Sequence, residues 1–397
     1  MSSLSYSPRL CVALCTLALS IATGAVHAAD PIKVGVAVDL SGPFSSIGTE
    51  TRDGIALAQK LLGNQLGGQP VEFIQADTGG SPDQAKQVVD RMIQQNKIQL
   101  FTGPVPSNIA LAVGPSLFAA KVPYISSNPG PSQYAGAQCN AYFFNPHYQN
   151  DVWDEVVGQY ATDKGLKSVA LIAPNYPAGR DHLTGFKRTF KGTVVNEIYS
   201  KVGQLDYAAE LAQIRADKPA AIYFFLPGAM GINFIKQYEG AGLKKDTALL
   251  LGAGNGEVDT FTAVGGDLML GMVSGAQWSP DIPNAANQKF VTEFRKAYNR
   301  HPTAYAAMGY ETILAMDGAV RQLKGDLSDK DALLKAIKAV DYDSPRGKFK
   351  MGNNNYPVQD YYLREVVKSS DGALVNKIIA TPLKNYQDAY ASQCKLS

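Results

Sequence analysis

Short apolar runs alternate with longer amphipathic segments through the first third of the chain. Each short run predicts a buried strand, and each longer segment, in which apolar residues recur at helical spacing, predicts a helix. The predicted strands are residues 32–38, 71–75, 99–102 and 122–125. The predicted helices are residues 49–62, a segment that opens with Ser81 and Pro82, and residues 107–120. Strands that alternate with helices predict a parallel sheet with helices on both faces.

The same alternation begins again after Pro146 and predicts a second unit of similar size. Its predicted strands are residues 169–173, 194–198, 221–225 and 248–251. Its predicted helices are residues 152–162, 185–190, 208–216 and 230–241. Later segments predict helices at 286–298, 304–323 and 329–339, then a hairpin or two crossing strands at 347–351 and 359–367. We therefore predict an α/β fold with two lobes, each built on an open, mostly parallel sheet.

Two loops of the first unit carry groups suited to an anion. Open parallel sheets bind ligands beyond the carboxyl ends of their strands, so two facing lobes would direct such loops at one cleft. Ser107 stands at a predicted helix start, where its hydroxyl would lie beside unpaired backbone N–H groups. Residues 126–132 are rich in hydroxyl groups, and Gly130 would let a ligand approach the backbone. The plainer alternatives are a helix cap and a surface turn.

The first 28 residues have the pattern of a secretory signal peptide. Arg9 precedes an apolar run from residue 10 to about residue 25, and small residues surround the expected cleavage site after Ala28. A membrane anchor is the alternative, but the run is shorter than the ~20 residues that a span requires. Cleavage would leave two cysteines, Cys139 and Cys394, in an oxidising compartment. We expect a disulfide between them, with two buried free thiols as the alternative.

Composition and motifs narrow the function. The 397 residues include 37 Lys and Arg and 35 Asp and Glu, and a net charge of +2 gives no reason to expect nucleic-acid binding. Only 4 His and 4 Cys are present, which disfavours a zinc framework. Residues 252–257 approach a dinucleotide-binding loop, but the third glycine falls one position early for the GxGxxG spacing. We therefore expect no catalysis, no cofactor and no metal.

Four segments, spread over nearly the whole predicted mature chain, resemble one protein family. They are IKVGVAVDLSGPFSSIGTETRDGIALA, GPVPSNIALAVGPSLFAAKVPYISSNPGPSQYAG, GAQWSPDIPNAANQKFVTEFRKAY and SPRGKFKMGNNNYPVQDYYLREV. In this order they resemble the leucine/isoleucine/valine-binding-protein family, the type I periplasmic solute-binding proteins of ABC importers. The resemblance implies two Rossmann-like lobes joined by a hinge of three crossovers, which close on a small ligand without catalysis. It also implies a periplasmic location, a membrane permease as partner and a monomer.

The resemblance further implies how the chain is divided. We expect a signal peptide at residues 1–28. The first lobe is expected to comprise residues 29–145 plus 279–354, and the second lobe residues 146–278 plus 355–397. Each lobe would then be assembled from two separate stretches of the chain, so that the ligand cleft lies between them.

In the first lobe, the resemblance assigns a carboxylate clamp. Ser107 matches the serine that holds the ligand carboxylate, and Asn128 and Gly130 match the loop that completes the clamp. Gly130 stands where amino-acid-binding members usually have threonine, so one side-chain donor is missing from this chain.

In the second lobe, the resemblance assigns the opposite wall of the cleft. Tyr176 matches an aromatic residue that covers the ligand, and Phe225 and Leu226 end the strand that lines the far wall. Glu257 lies where amino-acid-binding members keep an acid for the ligand ammonium group. Trp278 precedes a crossover and is expected to add an aromatic wall.

The sequence leaves three interpretations of the ligand and the role. The segments GPVPSN and NPGPSQYAGAQC look closer to family members that bind aromatic acids, and the expected aromatic walls favour an aromatic or similar hydrophobic carboxylate. A branched-chain amino acid, with its ammonium group on Glu257, is the first alternative. An exported sensor or enzyme on the same fold is the second, because a fold does not fix a function.

Overall fold

The computed structural model describes residues 1–4 and 30–396. The chain divides into two units, residues 1–30 and 31–397, and the described strands and helices belong to the second. The predicted signal peptide, residues 1–28, lies outside the described residues except at residues 1–4. Among the described residues, no helix combines the length and the apolar composition that crossing a membrane requires.

Strands and helices alternate along the chain. In chain order, strands β1 to β14 are Ile32–Val38, Gln65–Leu66, Gln69–Asp77, Leu100–Thr102, Tyr124–Ile125, Phe143–Phe144, Ser168–Pro174, Thr193–Ser200, Ala221–Phe224, Ala248–Leu251, Val273–Ala276, Lys350–Met351, Pro357–Lys368 and Leu374–Tyr386. Helices α1 to α12 are Ser45–Leu61, Pro82–Arg91, Ser107–Ala119, Ser132–Ala135, Val152–Asp163, Pro177–Thr189, Ala208–Asp217, Ala229–Gly240, Val258–Val264, Ala285–Tyr298, Ala304–Gln322 and Lys330–Lys338. A π-helical turn, Met92–Asn96, continues α2.

The first sheet has the strand order β2-β3-β1-β4-β5-β6. β1 runs parallel to both β3 and β4, whereas β2 is antiparallel to β3 at the edge. Val34, Val36 and Val38 of β1 pack in the core covered by α1 and α11, and Ala37 packs in the core beneath α2 and α3. Because β1 is buried on both faces, its sequence is a continuous apolar run rather than an alternating one.

The second sheet has the order β12-β13-β11-β10-β9-β7-β8, and β14 pairs with β13. Strands β7 to β11 pair in parallel, whereas β13 is antiparallel to β11, β12 and β14. The β12–β13 pair is the hairpin that the sequence offers as one of two alternatives. The predicted α/β class with mostly parallel open sheets is therefore confirmed.

The chain passes between the two sheets more than once. It leaves the first sheet after β6, through residues 145–151, and enters α5 beside the second sheet. After β11 it returns through residues 277–284 to α10 and α11, and α11 packs along α1. It then reaches β13 in the second sheet. The detailed lobe boundaries, 29–145 plus 279–354 and 146–278 plus 355–397, stay a prediction.

Strand β14, Leu374–Tyr386, is the longest element that the sequence does not predict. Pro382 lies within it, and proline is rare inside strands because it has no N–H to donate. Here the register between β13 and β14 shifts near Leu383, and several side chains of β14 are exposed. An irregular strand at the edge of a sheet tolerates proline, so a strand forms here although the proline disfavours one.

A disulfide joins Cys139 and Cys394, which confirms the predicted pairing. The two Cα atoms are 5.6 Å apart, although 255 residues separate the cysteines in sequence. Cys139 follows α4, and Cys394 lies close to the C-terminus. The bond therefore holds the C-terminal segment against the segment that leads into β6.

Replacing both Cys139 and Cys394 by serine is expected to lower the free energy of unfolding by about 2–4 kcal/mol, because the cross-link restricts the unfolded chain. Urea denaturation of the oxidised wild type and of the double variant measures this difference. Wild-type protein in reductant is the matched control and should behave like the variant. Equal stability of the oxidised wild type and the variant would contradict the expectation.

Candidate functional site

A small cavity of about 20 Å³ lies between loops that follow strands of both sheets. The segments after β1, β4 and β5 contribute from the first sheet, and those after β7 and β9 contribute from the second. The lining residues are Phe44, Ile47, Val105, Ser107, Asn128, Pro129, Tyr148, Tyr176, Ala178, His182, Phe225, Pro227 and Tyr305. The carboxyl ends of two parallel sheets thus meet at one cavity, where open sheets bind ligands.

Aromatic rings of both sides meet at this cavity. Tyr176 stacks on Phe225 with ring centroids 6.3 Å apart, and it lies 6.0 Å from the ring of Phe44. Phe44 follows β1 of the first sheet, whereas Tyr176 and Phe225 follow β7 and β9 of the second. Tyr148 and Tyr305 add two more rings to the lining. A flat apolar ligand would find ring faces on several sides.

Ser107 is the first residue of α3 and is 1% exposed. No side chain caps this helix start, so the N–H groups of its first turn and the positive end of the helix dipole lie beside the cavity. Asn150 Nδ2 donates to Ser107 Oγ over 3.0 Å, which leaves the serine hydroxyl hydrogen available to a ligand oxygen. This combination of donors suits an anion.

Asn128 also lines the cavity, in a fixed orientation. Its Nδ2 donates to the Val105 carbonyl over 2.8 Å, and its Oδ1 accepts from the Tyr148 hydroxyl over 3.1 Å. Val105 and Tyr148 are themselves lining residues. The amide therefore ties the loop after β4, the loop after β5 and the first connection between the sheets into one rigid wall.

Gly130 does not line the cavity. Its N–H donates to Asn150 Oδ1 over 2.9 Å, and its carbonyl accepts from the Asn150 N–H. A Cβ atom at this position would lie 2.3 Å from the Tyr148 carbonyl oxygen. The close approach that requires glycine is thus to residues 148–150 and not to a ligand, and a threonine would not fit here without displacing them.

On the second side of the cavity, Tyr176 and Phe225 line the wall, and Leu226 does not. Leu226 is fully buried, and its backbone N–H and carbonyl pair with the side-chain amide of Asn255 over 3.0 and 2.9 Å. Its contribution is to hold the turn after β9 against the loop after β10.

Glu257 and Trp278 both lie outside the lining. Glu257 Oε1 accepts from Arg364 Nη2, and Oε2 accepts from the backbone N–H of Ala304 at the start of α11, both over 2.8 Å. The carboxylate is therefore engaged in an ion pair and a helix cap. Trp278 Nε1 donates to Asn287 Oδ1 over 2.7 Å, so its indole packs toward α10. Neither position matches the role expected from the sequence.

His182 also lines the cavity, although no sequence motif includes it. The His182 ring stacks on Phe225 with centroids 3.6 Å apart, and Nδ1 contacts Asp154 Oδ2 of α5. Asp154 also accepts from the Tyr223 hydroxyl and from the Ala253 N–H. A sequence pattern could not reveal this pair, because Asp154 lies on a neighbouring helix.

The electrostatics of the cavity follow from burial. Burial raises the pKa of the Tyr176 and Tyr305 phenols well above the ordinary value, so both rings stay neutral. Asp39 lies behind the lining, where its Oδ2 accepts from the Val105 N–H over 2.7 Å, and burial raises its pKa to about 6. None of the lining residues is an aspartate or a glutamate. The wall therefore presents hydrogen-bond donors and aromatic rings.

Hydrogen bonds near Ser107 join the two sides of the cavity. Asp181 of α6 accepts from the backbone N–H of Ser132 over 3.0 Å and from its hydroxyl over 2.7 Å. Asn150 Nδ2, which donates to Ser107, also donates to Asp181 Oδ2 over 2.9 Å. The residue that orients the Ser107 hydroxyl is thus shared with α6 on the opposite side.

Comparison with known proteins gives consistent results. A family model described as periplasmic binding protein matches residues 31–373. The chain is 28% identical over 382 residues to a Leu/Ile/Val-binding protein homolog of Brucella melitensis, which covers 93% of this chain and 96% of that protein. The resemblance noted from the sequence is therefore confirmed.

Solved structures are similar over nearly the full length. A solute-binding protein of an ABC transporter from R. palustris, in complex with benzoate, is 29% identical with a TM-score of 0.86, covering 92% of this chain and 100% of that chain. A second, from Rhodopseudomonas palustris in complex with 3,4-dihydroxy benzoic acid, is 30% identical with a TM-score of 0.85, covering 91% and 99%. A leucine-binding protein of Thermotoga maritima, 20% identical with a TM-score of 0.78, shares the fold.

Replacing Gly130 by alanine is expected to lower the free energy of unfolding by about 1–3 kcal/mol, because the added methyl group would overlap the Tyr148 carbonyl oxygen. Gly240→Ala is the matched control, since a Cβ there meets no atom within 4 Å. Denaturant unfolding of both variants measures the difference. A Gly130→Ala protein as stable as the control would show that the loop has room for a larger residue.

Proposed function

This chain belongs to the periplasmic binding protein family, among relatives of the leucine/isoleucine/valine-binding proteins, and we propose that it captures an aromatic carboxylate. The ligand is held between the two lobes, and the protein delivers it to the membrane permease of an ABC importer. One observation carries the ligand class: the cavity combines a helix start that suits an anion with a lining that contains no aspartate or glutamate.

The carboxylate end of the ligand is assigned to Ser107. A buried carboxylate needs several aligned donors, because an unpaired charge in a dry cavity is costly. The Ser107 hydroxyl and the first-turn N–H groups of α3 supply such donors, and Asn150 holds the hydroxyl in place. Asn128 completes the wall beside it and is assigned to the same clamp.

The absence of an acid in the lining argues against an amino acid. An α-ammonium group would need a negatively charged or strongly accepting partner when it leaves water. Glu257, the residue expected to provide it, already pairs with Arg364 and with the N–H of Ala304. Tyr176 and Tyr305 remain neutral phenols. A ligand that has a carboxylate and no ammonium group is therefore complementary to this lining.

The aromatic part of the ligand is assigned to the rings that meet at the cavity. The Tyr176 ring contacts those of Phe225 and Phe44, and all three side chains line the cavity, where aromatic faces and edges suit contacts with a benzene ring. Similar proteins from R. palustris were solved with benzoate and with 3,4-dihydroxy benzoic acid, which supports this ligand class.

The alternative ligand is a branched-chain amino acid. It is supported by the names of the Brucella relatives, which are Leu/Ile/Val-binding protein homologs. The composition of the cavity wall favours the aromatic acid over this alternative. No observation on the described residues favours the sensor or enzyme interpretation.

The location and the lobe organisation complete the proposal. Removal of residues 1–28 as a signal peptide would release the mature chain into the periplasm, where the family operates. Residues 29–145 plus 279–354 and residues 146–278 plus 355–397 would then act as the two lobes that close on the ligand. The closed lobes would present a joint surface to the permease.

Benzoate is expected to bind the mature protein at least about 100-fold more tightly than leucine, because leucine would bury an unpaired ammonium group. Isothermal titration calorimetry with benzoate, 4-hydroxybenzoate, leucine and isoleucine measures the four affinities. Tight leucine binding without a response to any aromatic acid would contradict the proposed ligand class.

Ser107→Ala is expected to weaken benzoate binding by about 1.5–3 kcal/mol, the range for a hydrogen bond to a charged group. Ser127→Ala is the matched control, because Ser127 is buried nearby, lies outside the lining and has no hydrogen-bond partner for its hydroxyl among the described residues. Calorimetry on both variants compares the losses. Unchanged affinity in Ser107→Ala would remove this residue from the clamp.

A further inference from the structure

We propose that His182 binds the ligand carboxylate as an imidazolium, so that capture of the ligand is coupled to the uptake of one proton. This inference rests on the proposed function, because it requires a carboxylate ligand. It adds a site residue outside the clamp assigned to Ser107 and Asn128, and it makes the proton a second ligand of the cavity.

His182 lines the cavity, and two of its contacts fix the orientation of its ring. Nδ1 is held by Asp154 Oδ2, and one ring face packs on Phe225. Nε2 has no hydrogen-bond partner among the described residues, although it belongs to a residue that lines the cavity. The second nitrogen is thus left to a ligand, and the ring cannot turn away without losing both contacts.

The charge balance of the cavity points to the same residue. A ligand carboxylate brings one negative charge into a wall that contains no lysine and no arginine. Among the lining residues in the described part of the chain, His182 is the one whose side chain can become positively charged near neutral pH. Protonation of this ring offsets the ligand charge at short range, where a buried unpaired charge would otherwise be costly.

Asp154 prepares His182 for this role. Its side chain is fully buried and accepts from the Tyr223 hydroxyl and the Ala253 N–H. The contact with the Asp154 carboxyl group places an acceptor at Nδ1. With a second proton on Nε2, the imidazolium donates one hydrogen bond to the Asp154 carboxylate and one to the ligand carboxylate.

Other titratable groups surround His182 and must be distinguished from it. Asp181 precedes it on α6 and is held by Ser132 and Asn150. Asp151 at the start of α5 and Arg188 of α6 form an ion pair over 2.8 Å. The remaining groups that face this region are Asp39 beyond β1, Tyr223 of β9 and the phenols of Tyr148 and Tyr176. Uptake by any of these acids would survive removal of the imidazole.

The coupling predicts a pH dependence of a defined sign. A carboxyl group in water ionises at about pH 4, so benzoate is an anion throughout the range from pH 6 to pH 9. The form of the protein that binds it carries a proton on His182. The dissociation constant should therefore rise with pH, and the rise should approach a limit of about tenfold per pH unit.

The experiment is calorimetric titration of the mature protein with benzoate in buffers of equal pH and different ionisation enthalpy. The dependence of the observed heat on the buffer gives the number of protons taken up. We expect uptake that approaches one proton per benzoate at the upper end of the pH range. ¹⁵N NMR of histidine-labelled protein provides a measurement without any substitution, because the His182 ring should change from neutral to imidazolium on addition of benzoate.

Two variants separate charge from hydrogen bonding. His182→Asn keeps a donor toward Asp154, and His182→Gln keeps a donor toward the cavity, but neither side chain can be charged. Both are expected to bind benzoate at least about tenfold more weakly at pH 6 and without proton uptake. His301→Gln is the matched control and should bind as the wild type does, because His301 contacts Asp371 away from the cavity.

The outcomes distinguish this inference from the proposed function. Proton uptake that is lost in both His182 variants supports the inference. Benzoate binding without proton uptake, or uptake that persists in the variants, overturns the inference and leaves the aromatic-acid function in place. An unchanged neutral His182 ring in the NMR experiment also overturns it. Failure of every aromatic carboxylate to bind overturns both.

Discussion

A carboxylate loses its hydration when it enters a dry cavity, so the protein must supply donors and an offsetting charge in advance. This requirement explains why α3 begins at the cavity without a side-chain cap and why Ser107, its first residue, keeps a hydroxyl hydrogen available. It also explains why no acid lines the wall. The rings of Tyr176 and Phe225 add apolar surface to the lining, and a hydrogen bond is stronger where the local dielectric constant is low.

Binding and closure depend on the same few residues. Asn150 orients Ser107 and also donates to Asp181, which in turn accepts from the start of α4. Asp181 is followed directly by His182, the side chain that we assign to the ligand charge. One turn of α6 therefore contains both Asp181, which connects the two sides of the cavity, and His182, which lines the cavity. A ligand that fills the cavity stabilises the arrangement in which both contacts form, as expected for hinge closure.

The sequence predicts the fold well because buried parallel strands leave continuous apolar runs, as β1 and β7 do. Strand β14 is missed because Pro382 interrupts it and an irregular edge pairing tolerates the proline.

The sequence predicts a site residue only where that residue's place after a predicted strand determines its location in the fold. Ser107 could be placed, since it follows the carboxyl end of a strand. The environment of Glu257 depends on Arg364, 107 residues away in sequence, and that of His182 depends on Asp154, 28 residues away. No local pattern encodes such pairs, so the sequence alone does not show what Glu257 and His182 contact. We propose that the cavity accepts a carboxylate and rejects an ammonium group. Phenylacetate and phenylglycine test it most directly, because they share a carbon skeleton and differ by the ammonium group alone. Calorimetric titration of the mature protein with both should give much tighter binding of phenylacetate. Equal or tighter binding of phenylglycine would show that the cavity accepts an ammonium group.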